Sequence, residues 1–108
     1  MNAEYLLVLT TCPDAESADL IARQLVQGNL AACVNIQGGI RSVYTWHGKV
    51  ETADEHLLLV KTAQSRYAEV EAAIRVSHPY ELPEVVAVPI IAGSEAYLSW
   101  IDNLICKR

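Results

Sequence analysis

The sequence has no phenylalanine, and its eight lysines and arginines are outnumbered by thirteen acids, for a net charge of −5. Non-specific binding to nucleic acid rests on clustered Lys and Arg, and single-strand RNA readers stack bases on aromatic and basic motifs, so both classes are disfavoured. Cysteine is scarce as well. Cys12, Cys33 and Cys106 are too few and too widely spaced for a disulfide framework, their odd number leaves at least one unpaired, and no CxxC pair offers a structural zinc site. Reduced thiols are the natural reading. No stretch approaches the roughly 18 uninterrupted apolar residues of a membrane span. Residues 1–4 lack the basic region that opens a secretory signal, so a cytoplasmic protein is expected. GxSxG, P-loop, GxGxxG and HExxH patterns are all missing, and a conventional enzyme is not expected.

What is present is apolar. Hydrophobic residues make up 52% of the chain and charged residues 19%, against a usual charged share of about 25%, which leaves little polar surface for a small monomer. At 108 residues the chain is one domain, 1–108, and burial through association would help it.

The apolar period changes several times along the chain. Residues 5–9 form a short apolar run that reads as a buried strand, ended by Pro13-Asp14. Ala18, Ile21, Ala22 and Leu25 then share a helical face, with Asp14 as N-cap and Gly28 as the stop. Residues 31–46 read as a long strand bulged at Gly38-Gly39, turned at His47-Gly48, and returned by a strand over 49–62. A second helix carries Tyr67, Val70 and Ile74 and must stop before His78, because Pro79 disfavours helix at the preceding residue. Residues 85–91 form a fourth strand, placed at a sheet edge by Pro89, and Gly93-Ser94 opens a final helix with Tyr97, Leu98, Ile101 and Leu104. The expected fold is α+β: a ferredoxin-like βαββαβ sandwich with an additional C-terminal helix and a long β2–β3 hairpin. Both main helices then lie on one sheet face while the central strands are apolar at consecutive positions, so the other face also needs cover. A second copy of the sheet is the simplest cover.

The densest polar constellation is residues 77–84, where Pro79 and Pro83 stiffen a loop presenting His78, Tyr80, Glu81 and Glu84. Imidazole suits copper, zinc and nickel, and carboxylates can complete a coordination sphere. The same histidine is equally well placed to cap the second helix. Trp46, His47, Glu51 and Glu55 form a second cluster near the hairpin tip, where packing is the simpler role, and His56 reads as structural. Cys12 falls between the first strand and first helix, where helix-terminal amides would lower a thiol pKa and favour a nucleophile or soft-metal ligand.

Residues 30–35 (Leu-Ala-Ala-Cys-Val-Asn), 42–49 (Ser-Val-Tyr-Thr-Trp-His-Gly-Lys), Lys61-Thr62, His78-Pro79-Tyr80-Glu81 with Pro83-Glu84, and Tyr97-Leu98-Ser99-Trp100 together resemble the CutA divalent-cation tolerance family over nearly the whole chain. The resemblance implies a homotrimer shaped like the PII signalling proteins, with hairpin arms reaching across neighbours, and an association with divalent metals, copper especially, but with no obligatory cofactor. It makes His78 the first choice as a copper(II) or other divalent-metal ligand, with Cys12 as a second. The chain departs from copper-linked relatives in having Ser77 where some carry a second histidine and Thr10 where some carry a cysteine. Cys33, in the family's Ala-Ala-Cys stretch, reads as a small buried residue. Three functions are carried forward: a metal-binding tolerance protein; a PII-like trimeric module binding a small ligand in inter-subunit clefts lined by Lys61, Tyr80, Glu84, Tyr97 and Trp100; and an assembly protein without a physiological metal.

Overall fold

Strand β1 (Tyr5–Cys12) lies at the centre of the molecule, hydrogen-bonded on one side to β3 (Lys49–Ala63) and on the other to β4 (Val86–Pro89). Strand β2 (Cys33–Trp46) pairs with β3, giving a four-stranded antiparallel sheet in the order β2-β3-β1-β4. Helices α1 (Ala15–Gln27), α2 (Tyr67–Ser77) and α3 (Glu95–Ile105) complete the fold, with a 3-10 turn over Gln64–Arg66 leading into α2. The structure is a computed structural model in which residues 4–105 are described. Cys106 lies outside the described residues.

Local chemistry explains the boundaries. Asp14 takes an extended conformation and its side chain accepts the Ser17 N–H at 2.7 Å, so α1 starts where a carboxylate satisfies one of the free amides of its first turn. Gly28 and Asn29 end the helix, Asn29 in the left-handed region at φ 59°. The register of β2 on β3 shifts between Gln37 and Ile40, which places the bulge at the two glycines, Gly39 at φ 79°. Gly38 is needed for a second reason: a Cβ there would stand 3.2 Å from Nε2 of His56. His47 and Gly48 both have positive φ, as a two-residue hairpin turn requires.

Strand β4 is the edge strand that Pro89 calls for, since a missing N–H costs least where no further strand pairs, but it is shorter than the expected 85–91 and pairs with β1 only over Val86–Pro89. Strand β1 runs three residues past the expected Leu9, because β3 continues to pair with it up to Cys12 opposite His56. Strand β2 starts two residues later than expected. Ala31 and Ala32 are buried just before it, with the Ala31 N–H bonded to Leu25 O and the Ala32 N–H to Lys61 O.

The two sheet faces differ. On one, Val8, Leu58 and Val60 meet Ile21 and Leu25 of α1 and Val70 and Ile74 of α2, all essentially inaccessible. Each such side chain contributes roughly 1.5–3 kcal/mol by leaving water. The other face carries Leu7, Leu9, Leu57 and Leu59, only partly covered, with Val86 and Val88 exposed beside them. Helix α3 covers one end of this face, where Ile101 and Ile105 pack on Ala32, Ala63 and Tyr5. The rest stands open.

Candidate functional site

Helix α2 breaks at His78, whose own N–H still bonds Ile74 O at 2.9 Å while its backbone turns extended ahead of Pro79. The imidazole does not cap the helix carbonyls. It turns to the end of β1, 8% exposed, where Nε2 lies 2.7 Å from Thr11 O and 3.7 Å from Sγ of Cys12. The Tyr80 N–H donates to Nδ1 at 3.1 Å. With Nδ1 accepting, Nε2 carries the proton and donates to Thr11. Both ring nitrogens are therefore engaged, and a metal on either would replace an existing hydrogen bond.

The two residues singled out as metal ligands, 66 positions apart, thus meet in space. The electrostatics of Cys12 are the reverse of the expectation from its position ahead of α1. Burial pushes its thiol up to about 11, a nearby Ser17 hydroxyl only partly offsets this, and Asp14 and Glu55 add negative charge. Pro13 and Asp14 separate Cys12 from the first turn of α1, whose free amide is taken by the Asp14 carboxylate instead. At neutral pH Cys12 is a buried thiol rather than a nucleophile.

Tyr80 reaches the opposite face. Its hydroxyl donates to Oε2 of Glu55 at 2.6 Å, and the Ser42 hydroxyl donates to Oε1 at the same distance. Glu55 is 6% exposed although Ala53 and Leu57, its neighbours on the same strand face, are only partly covered. Desolvation and the bond to Glu55 hold the Tyr80 phenol well above the usual tyrosine range. The hairpin arm at 42–46 and the loop at 80–84 flank a groove of about 770 Å³, with Glu55 and Thr11 in its wall and Glu81 and Glu84 on the loop side.

The expected inter-subunit cleft residues divide into two groups. Tyr80 and Glu84 belong to this groove. Lys61 pairs across the sheet with Cys33 and hydrogen-bonds Asn35, and Tyr97 lies beside Cys33 and stacks on Trp100 at 5.4 Å. Lys61 and Glu55 are six residues apart on β3, a separation of about 20 Å at 3.3 Å per residue. Cys33 is half-buried, not fully buried as expected. In the second cluster, Trp46 and His47 pack edge to face at 4.9 Å at the exposed tip, and Glu51 lies opposite Tyr44. Glu55 leaves that cluster for Tyr80. Ser42 and Tyr44 stood in the 42–49 motif without being marked as site residues, and Glu55 was marked only as an acid near the hairpin tip, not as the partner of Tyr80.

Two helices on one face of an antiparallel sheet ordered β2-β3-β1-β4, with a long hairpin and a third helix over one end of the other face, define a ferredoxin-like α+β protein. The family model described as CutA1 divalent ion tolerance protein matches residues 6–104, and the chain belongs to this family. It is 45% identical to the divalent-cation tolerance protein CutA of Thermus thermophilus, covering 88% of this chain and 92% of that protein. It is also 45% identical to the chloroplastic protein CutA of Arabidopsis thaliana, over 91% of this chain but 54% of the plant protein, so it spans about half of that relative's length. The crystal structure of CutA from Xylella fastidiosa superposes with a TM-score of 0.93 at 43% identity, over 95% of this chain and 99% of that one. Among the described residues, no helix is long and apolar enough to cross a membrane.

Proposed function

We propose that this chain is a divalent-cation tolerance protein that works as a homotrimer and binds copper through the Cys12–His78 pair. The observation that carries the reading is the 3.7 Å approach of a thiol and an imidazole from opposite parts of the chain, a donor set suited to copper. Two donors do not fill a coordination sphere. Among the described residues no group of three or more His, Cys, Asp and Glu side chains is gathered to hold a metal, so a neighbouring subunit or solvent supplies the rest. Binding through Nε2 displaces the His78–Thr11 bond, moves the ring proton to Nδ1 at the expense of the Tyr80 N–H bond, and releases the Cys12 proton to solvent, so affinity increases with pH. The open row of Leu7, Leu9, Leu57 and Leu59 supports self-association, since a second copy offers the same apolar surface. In this reading the protein is a binding protein of the cytoplasm, where reducing conditions keep Cys12 a thiol.

The test is calorimetric titration of the reduced, metal-free protein with copper(II), alongside His78→Ala and Cys12→Ser variants of confirmed equal oligomeric mass. Saturable binding that tightens from pH 6 to pH 8 and is lost in both variants supports the pair as the site. Binding that survives both substitutions removes it. A monomeric mass for the unaltered protein at micromolar concentration removes the trimer.

A further inference from the structure

Glu55 is a buried carboxylate whose two oxygens accept from neutral hydroxyls and from no cation. The ion pairs among the described side chains join Arg23 to Asp19, Arg41 to Asp54, Arg66 to Glu69 and Arg75 to Glu71, and none involves it. Taking a carboxylate out of water is expensive unless a countercharge compensates. Two hydroxyl donors offset part of that cost, and each oxygen keeps a further lone pair.

A groove lies beside Glu55, between the hairpin arm and the 80–84 loop. Among the described residues its wall contains no Lys, Arg or His, while Glu81 and Glu84 add two more carboxyl groups on the loop side. The hairpin side brings Tyr44 and Trp46, which are 45% and 43% exposed in the single chain. Aromatic faces attract ammonium groups and also bury hydrocarbon. A bare divalent ion has no use for such a wall, and it wants an oxygen shell that these acids do not converge to form. At about 770 Å³ the groove has the size of a small-molecule site.

We propose that this groove binds a small organic cation, with its ammonium group beside the Glu55 carboxylate and its hydrocarbon portion along Tyr44 and Trp46. The site lies on the open side of the sheet and uses neither Cys12 nor His78, so it stands whether or not copper binds at that pair. Glu55 is held in place by Ser42 from β2 and Tyr80 from the loop. A cation seated there therefore bridges the hairpin arm and the 80–84 loop, the two segments that form the groove.

The experiment is a calorimetric titration of the full chain in its native assembly, at pH 7.5 and low salt, with n-butylammonium and benzyltrimethylammonium. Neutral n-butanol and magnesium ion are the controls. The expected result is saturable binding of the ammonium compounds, one per chain, with n-butanol and magnesium not competing. Replacement of Glu55 by Gln, which keeps an acceptor for one hydroxyl but removes the charge, weakens binding by about tenfold, a change of about 1.4 kcal/mol. Trp46→Leu, at an exposed position on the hairpin arm, weakens binding of benzyltrimethylammonium more than that of n-butylammonium and tests the aromatic wall should Glu55→Gln fail to fold. Absence of ammonium binding to the unaltered assembly, as when a neighbouring copy fills the groove, overturns the proposal. So does n-butanol binding as tightly as n-butylammonium, or an affinity unchanged in both variants.

Discussion

The two faces of the sheet are built from the same strands and nearly the same residue types, yet they behave differently. On the helix face Leu58 is inaccessible, packed with the α1 and α2 side chains, whereas Leu59, one residue along, lies on the other face with only partial cover. Alternation along a strand sends neighbours to opposite faces, so the contrast between adjacent leucines isolates what each face does. The difference teaches that burial within one chain stabilises one side, while the other side keeps apolar surface that the chain itself does not cover. Polar groups divide the same way: Cys12 sits with His78 in a closed cluster of neutral hydrogen bonds, and Glu55 sits at the edge of a groove with a charge to neutralise.

The largest effect that would break this comparison is on the leucines. Leu58→Ala is expected to cost about 2–5 kcal/mol in urea unfolding, the usual price of a core leucine, with the oligomeric mass unchanged in native buffer. Leu59→Glu is expected to lower the oligomeric mass in light scattering while the far-ultraviolet circular dichroism of the chain is preserved. Equal behaviour of the two variants would mean that the faces are not functionally distinct.

A smaller effect concerns Thr10, inaccessible on the helix face with a hydroxyl that has no hydrogen-bond partner. Thr10→Val keeps the shape and removes the unsatisfied group, and should stabilise the protein by about 1 kcal/mol in the same unfolding assay. No change, or a loss, would show that the hydroxyl is satisfied in solution.

The most condition-specific effect is a loss of stability confined to alkaline pH that vanishes at neutral pH. The folded Cys12 thiol titrates at about 11 against an ordinary 9.0, so the fold favours the protonated form. That contribution is fully present below pH 9 and is lost as pH rises from 9 towards 11, because the unfolded chain ionises first. Stability of the unaltered protein should therefore fall across this window more steeply than that of Cys12→Ala. Alkylation of Cys12 by iodoacetamide at pH 8 should be slow without denaturant; fast labelling would place the thiol in an exposed or activated setting.

Much of the fold was legible in the chain because its signals are local. Asp14 and Gly28 bracket α1, the paired glycines mark the bulge, His47-Gly48 makes the turn, and Pro89 assigns β4 to an edge, each through backbone geometry confined to a few residues. The candidate site was legible only in part. His78 and Cys12 were named from their residue types and surroundings, but their 3.7 Å approach across 66 positions depends on how α2 docks beside the end of β1.

By itself, then, the sequence determined the order of the elements and the turns and caps between them, the two-sided demand for burial and the CutA family, since periodicity, capping and motif order are written along the chain. Pairing with neighbouring strands set where β1, β2 and β4 begin and end. Only the tertiary structure decided the protonation and accessibility of the chemical groups. Packing gave His78 a partner on each ring nitrogen, and burial raised the Cys12 thiol when its position ahead of a helix pointed the other way. It also drew Glu55 out of the hairpin cluster to meet Tyr80. These outcomes depend on which surfaces exclude water and which donors arrive from distant segments, and neither is a property of any short stretch of sequence.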